Sequence, residues 1–279
     1  MFLGYNTNGM AHHELFDAIR LLAAIGYGGV AITVDHGALP PYGRYGPHRM
    51  RRLQHLLNEL GLHTVIETGA RFLLDPLEKH EPTLISPSAQ GRARRLDFYR
   101  YAIDCAAELQ SDCVSLWSGV LREEMTRPEA MDHLVEGLRQ VLAYAAARDV
   151  PVAFEPEPGM LIDTLGGYEE LCTRLADPAL RLTLDVGHVH CQGEGPIAAA
   201  IGRWGPQLAN VHLEDMRAGI HEHLMFGTGE IDFPPIFAAL ATASYSSGVY
   251  VELSRHSHEA PAAARRAMEF LKEGMRDEG

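Results

Sequence analysis

Short apolar runs alternate with longer amphipathic stretches from one end of the chain to the other. Eight runs read as strands, at residues 2–5, 29–34, 63–67, 113–117, 151–155, 180–185, 209–213 and 249–253. Several are continuously apolar (VAI at 30–32, VAF at 152–154, VYV at 249–251), the pattern of parallel strands covered on both faces. The stretches between them repeat with a helical period. Met131, Leu134, Val135, Leu138, Val141, Leu142 and Ala145 recur by threes and fours, so one stripe faces inward. Met50, Leu53, Leu56, Leu57 and Leu60 form a second stripe that stops at Gly61, a residue suited to a left-handed helix end. A last helix, about 261–273, closes the series.

Strand–helix alternation with right-handed crossovers has two main solutions, a doubly wound open sheet or a closed barrel. An open sheet usually carries a glycine-rich phosphate loop after its first strand. Here that strand runs into Asn6-Thr7-Asn8-Gly9, which is no such fingerprint. Eight repeats favour an α/β fold of the (β/α)8, or TIM-barrel, type, with residues 1–279 as a single domain. The connections 37–47, 71–90 and 216–231 exceed the usual two to six residues. All three follow strands and so fall on the C-terminal face, where such barrels keep their active sites.

Composition narrows the partners. With 37 acidic against 24 basic residues and a net charge of −13, the chain is no candidate nucleic-acid binder. No apolar stretch approaches the ~18 residues of a membrane span, and the first residues carry neither the basic nor the apolar region of a signal peptide. Cys105, Cys113, Cys172 and Cys191 are scattered without metal-type spacing and read as reduced thiols of a cytoplasmic protein.

The chemistry lies at the strand ends. A charge at the tip of an apolar strand is costly to bury unless it is paired or binds metal. Strand five ends in Glu155 with Glu157 just beyond; strand six ends in Asp185 with His188 following. Strand seven carries His212, then Glu214, Asp215 and Arg217, and strand eight carries Glu252. Four successive staves thus aim Glu155, Asp185, His212 and Glu252 into one bowl. Carboxylates with one imidazole suit Mn²⁺, Mg²⁺, Co²⁺ or Zn²⁺. His36 beside Asp35, Glu67, and Trp117 end earlier strands and are candidates for substrate contact, Trp117 by stacking on a carbon chain. His256 and His258 follow strand eight without an assignable partner.

Glu155, the segments LDVGH (184–188), VHLED (211–215) and FGTGEIDF (226–233), and Glu252 within YVELS resemble the xylose-isomerase-like barrel superfamily. That superfamily includes ketose 3-epimerases, hydroxypyruvate isomerase, inosose-processing enzymes and endonuclease IV. The match spans the chain and is sharp over its second half. The resemblance implies one divalent metal on Glu155, Asp185, His212 and Glu252, with His188 and Arg217 touching the substrate. It also implies that FGTGEIDF precedes the seventh helix of the ring, with Asp232 as its N-cap. His221 and His223 fall where the endonuclease IV branch binds a further zinc together with the histidine matching His188. A second metal on His188, His221 and His223, or one of the pair merely lining the pocket, both fit the sequence. Where the nuclease branch uses histidines after its early strands for another zinc, this chain offers Asp35-His36 and Glu67, with Ser115, Trp117 and Ser118 after strand four, a departure that disfavours a three-zinc site.

By this resemblance the expected activity is isomerisation or epimerisation of a small sugar, ketose or cyclitol. Glu155 and Glu252 would take and return a proton through an enediolate. A metal-dependent dehydratase of the 3-dehydroshikimate or inosose type shares the first step, and an endonuclease IV-like phosphodiesterase is the remoter alternative. A small polyol or ketose is the expected partner, without nucleic acid or membrane. Relatives are often homo-oligomers, but no exposed stripe here requires it. No basic cluster follows strands seven and eight, which disfavours a phosphorylated substrate.

Overall fold

In the computed structural model, residues 1–42 and 46–275 are described; residues 43–45, within the first long connection, and 276–279 lie outside the described residues. Eight parallel strands close into a barrel. They are β1 (Phe2–Asn6), β2 (Gly29–Thr33), β3 (His63–Glu67), β4 (Cys113–Leu116), β5 (Val152–Phe154), β6 (Leu180–Asp185), β7 (Leu208–Leu213) and, after two strands outside the barrel, β10 (Gly248–Val251). Neighbours run in chain order, and β10 closes on β1. The expected (β/α)8 barrel is the observed fold.

The helices of the outer ring are α1 (Leu15–Ile25), α2 (Pro47–Leu60), α3 (Ala89–Leu109), α4 (Arg127–Ala146), α5 (Leu165–Leu175), α7 (Ile197–Trp204), α8 (Pro234–Thr242) and α9 (Ala260–Gly274). A short α6 (Val186–Cys191) leaves directly from β6. The stripe on α4 is buried as the periodicity requires. α2 stops at Gly61, whose φ of 64° is left-handed.

The lumen is layered. At its floor the Tyr250 ring fills the space that strand glycines leave open. A Cβ at Gly4 would come within 2.3 Å of that ring, and one at Gly248 within 2.6 Å. Small or apolar neighbours, Ala31, Val65, Cys113 and Ala153, pack beside it. Above this plug the lumen turns polar, with Thr33 bonded to Asn6 at 2.7 Å and Ser115 to Thr183 at 2.9 Å. That layer carries the functional end.

Two expectations need correction. Residues 216–231 are not a plain loop: β8 (Asp215–Arg217) and β9 (Ile220–Leu224) pair as an antiparallel hairpin over the barrel mouth. Asp232 does not cap α8. It is exposed, and the N-cap position is Phe233, without a side-chain cap. The acid that organises this segment is Asp215, whose carboxylate accepts the N–H groups of Met216, Gly227, Gly229 and Ile231 at 2.8–3.1 Å. Among the described residues no helix is long and apolar enough to cross a membrane, and the four cysteines are free thiols.

Candidate metal and substrate site

The ends of β5, β6, β7 and β10 converge. Glu155 and Glu252 stand one residue beyond their strands, and their N–H groups continue the ladders by donating to Leu116 and Leu213. One donor atom from each of Glu155, Asp185, His212 and Glu252 lies within 4.8 Å of all the others. Nδ1 of His212 is 3.1 Å from Glu155 Oε1 and 2.9 Å from Glu252 Oε2. The sequence placed these four together, and so they are.

Three of the four ligand candidates are held from behind. Nε2–H of His212 donates to Glu67 Oε1 at 2.9 Å, and Asn210 Nδ2 donates to the same oxygen. Nδ1 is thereby turned to the carboxylates, as an outer partner does for a metal-bound imidazole. Asn8 Nδ2 donates to Glu252 Oε1 at 2.7 Å. Asp185 divides its two oxygens. Oδ1 accepts the His188 N–H at 2.8 Å and caps α6, while Oδ2 is buried without a hydrogen-bond partner. The wholly buried Glu214 accepts the Gly187 N–H at 2.9 Å. Burial and the Asp185 charge push its carboxyl well above the ordinary range.

Electrostatics of the cluster test its fitness for a cation. Burial works against a charge on His212, but Glu155, Glu67 and Glu252 outweigh it and raise its pKa well above the ordinary value. Burial, opposed by His212, raises Glu155 to about 8. Burial also acts to raise Glu252, yet His212 prevails and lowers it. A proton on the imidazole is thus what balances the carboxylates in the bare protein. A divalent ion held there would supply that balance, and its binding would release the proton. The donor chemistry and the free Asp185 oxygen fit such an ion.

A cavity of about 450 Å³ opens over these groups. Glu155, Glu157, His212 and Glu252 line its depth with Asn6, Asn8, Thr33 and Glu67, and Trp117 forms part of one wall. His221 and His223, on β9, reach in from the hairpin. His188 Nδ1–H donates to the Pro156 carbonyl at 3.1 Å, leaving Nε2 to face His221 Nε2 at 3.2 Å. Burial lowers the pKa of both rings, so they are neutral. Single nitrogens of His188, His221 and His223 also lie within 4.8 Å of one another.

Three expected substrate contacts do not line the cavity: His188 is buried behind His221, and Arg217 and His36 stand apart from it. Arg217 sits at the tip of the hairpin, exposed, with Nη2 on the Thr228 carbonyl at 3.1 Å. His36 is exposed, and its pairing with Asp35 runs through its backbone N–H at 2.7 Å, not through the ring. His256 and His258 do not line the cavity either. The sequence reading singled out Glu67 without its partner and placed the 71–90 connection on the active-site face, but it missed Asn8, Asn210 and the residues Arg71, Phe72, Lys79 and His80 that this connection brings to the mouth.

A closed barrel with acid and imidazole donors gathered at its C-terminal rim is the architecture of a metal-site α/β barrel. Residues 19–274 match the family model described as a xylose isomerase-like TIM barrel, and the chain belongs to that family. It is 24% identical over 268 residues to the L-ribulose-5-phosphate 3-epimerase UlaE of Shigella flexneri serotype 5b (strain 8401), covering 94% of this chain and 90% of that protein. Among solved structures, the IolI protein with a bound zinc atom superposes with a TM-score of 0.80 at 18% identity, covering 98% of each chain. An L-ribulose 3-epimerase superposes with a TM-score of 0.78 at 18% identity, covering 99% of this chain and 95% of the other.

Proposed function

We propose that the protein is a divalent-metal-dependent epimerase of a small ketose or closely related sugar, working by removal and return of the proton beside a carbonyl. The observation that carries this reading is the pair Glu155 and Glu252, two carboxylates that flank one imidazole nitrogen at 3.1 and 2.9 Å at the bottom of an open cavity. Glu155, Asp185, His212 and Glu252 would hold the ion. When bound, it supplies Lewis-acid stabilisation of negative charge developing on the substrate oxygens.

The chain's own groups do the rest. One of Glu155 and Glu252 takes the proton and the other returns it from the opposite side; return to the same carbon epimerises. Asn8, bonded to Glu252, fixes that carboxylate. Glu157 and His221 face the cavity and offer hydrogen bonds to substrate hydroxyls, and His188 stands behind His221 at 3.2 Å. Trp117 offers a ring face or edge to the carbon chain. The names of the relatives support epimerisation of a ketose, and they divide on whether the sugar is phosphorylated.

Incubation of the Mn²⁺-loaded protein with a panel of ketopentoses and ketohexoses in D₂O tests this, with NMR following the C–H signals beside the carbonyl. Exchange accompanied by the epimer is expected, and Glu155→Gln or Glu252→Gln abolishes it. Absence of exchange across the panel, in protein shown to contain metal, removes the reading.

The three imidazoles suggest a second cation, as in a binuclear centre. The hydrogen bond between His188 and His221 already accounts for the closeness of two of the rings, and a mononuclear centre is the reading adopted here.

A further inference from the structure

We propose that the site takes a sugar bearing an anionic end group, a phosphate monoester or a carboxylate, and that Arg71 and Lys79 of the β3–α3 connection hold that group. The inference rests on the ketose reading and names the class of substrate within it.

The cavity is polarised. Its depth is lined by Glu67, Glu155, Glu157 and Glu252, and its mouth by Arg71, Lys79 and Arg255. These cations are not equivalent. Arg255 is paired with Glu222 at 3.1 Å. Arg71 and Lys79 have no ion pair and no side-chain hydrogen bond among the described residues, although the chain carries 37 acidic residues against 24 basic ones. Acids are close by in the same connection but are engaged elsewhere. Glu78 and Glu81 both bind Arg122, at 3.1 and 2.9 Å, and Asp75 accepts the Leu77 N–H at 2.8 Å.

The positive side of the cavity has depth as well. Arg95 is wholly buried behind Trp117, its guanidinium carbon 4.3 Å from the ring centroid. It bonds the Thr68 carbonyl at 3.0 Å, while its Nε and Nη1 have no hydrogen-bond partner. Burial lowers the pKa of His80 to about 4, and Lys79, Arg95 and Arg71 each act in the same direction.

The loop is fixed in place. The His80 N–H donates to the Arg71 carbonyl at 2.6 Å, and His80 Nδ1 meets the Gly69 carbonyl at 2.7 Å, so Arg71, Lys79 and His80 stand together. A half-buried guanidinium without a carboxylate, facing a cavity whose other end suits polarised hydroxyls, calls for an anion on the ligand. The sequence shows no basic cluster after the last two barrel strands; in the folded chain the cations come from the third connection instead.

The test compares matched ketoses on the Mn²⁺-loaded protein: a ketopentose free and with a terminal phosphate, and a ketohexose free and oxidised to a terminal carboxylate. Proton exchange in D₂O should run with kcat/KM about 100-fold higher on at least one anionic member than on its free counterpart. The winning arm distinguishes phosphate from carboxylate. In Arg71→Gln/Lys79→Gln the anionic-to-free ratio should fall at least about 10-fold, mainly through KM. Equal rates on free and anionic members, or a ratio that the double substitution leaves in place, overturn the anionic end group while leaving the epimerase reading standing. Should no member exchange, the epimerase reading fails by itself. Calorimetry with ribulose 5-phosphate and ribulose then decides the anion site: at least about 10-fold tighter binding of the phosphate, lost in the double variant, supports it, and equal binding overturns it.

Discussion

His212 and Glu67 face each other across the barrel lumen, joined by a 2.9 Å hydrogen bond between Nε2 and Oε1 although 145 residues separate them. The bond fixes which imidazole nitrogen points at Glu155 and Glu252. Glu67→Ala should therefore weaken Mn²⁺ or Zn²⁺ binding about 10- to 100-fold, with Glu67→Gln intermediate because its carbonyl still accepts. Metal titration by calorimetry checks this, alongside melting of the metal-free proteins to separate lost folding from lost affinity. Unchanged affinity in Glu67→Ala would show that Glu67 plays no orienting part.

Much of this was legible in the sequence. The barrel strands were, because parallel strands buried on both faces are continuously apolar, and Glu155, Asp185, His212 and Glu252 break those runs at their ends. Asp185 shows the limit of such reading: it caps α6 with one oxygen and presents the other to the site, a division that its place at a strand tip did not reveal. The partnership of Glu67 with His212 was not legible, since it depends on closure bringing β3 opposite β7. Arg217 was assigned to the site by the family resemblance, but the hairpin turns it to solvent. Arg71 and Lys79 lie in a connection without periodicity, and nothing local marks their acidic neighbours as engaged with Arg122.

Gly187 lies beneath Glu214, where an added Cβ would meet Glu214 Oε1 at 2.0 Å and the Met216 methyl at 2.6 Å. The residue is the second of α6, between Asp185 and His188, so little can move without shifting a proposed ligand. Gly187→Ala should cost about 1–3 kcal/mol of stability. Thermal melting should show the loss in metal-free protein, and metal titration should show weaker binding as Asp185 is displaced. A variant that melts and binds like the parent would mean that the Glu214 side chain relaxes freely.

Metal content separates one centre from two. Protein saturated with Zn²⁺ and desalted should carry one ion per chain, and His223→Ala should carry one as well. Asp185→Asn should fall well below one. A parent holding two ions of which His223→Ala loses one would establish a binuclear site on His188, His221 and His223, and the role assigned to the His188–His221 bond would then be withdrawn.

His80 gives a pH signature of the cationic wall. Burial and its positive neighbours depress its folded pKa to about 4, whereas in the unfolded chain a histidine titrates near 6.5. Between those values the unfolded state binds the extra proton, so acidification favours unfolding and stability rises with pH across that window. His80 has a φ of 70°, a conformation that asparagine also adopts, so His80→Asn removes the titration at small backbone cost. The melting temperature of His80→Asn should fall less between pH 7 and pH 5 than that of the parent. Curves that stay parallel over this interval would show that His80 takes up its proton as readily in the folded protein as in the unfolded one, contrary to its burial beside Lys79, Arg95 and Arg71.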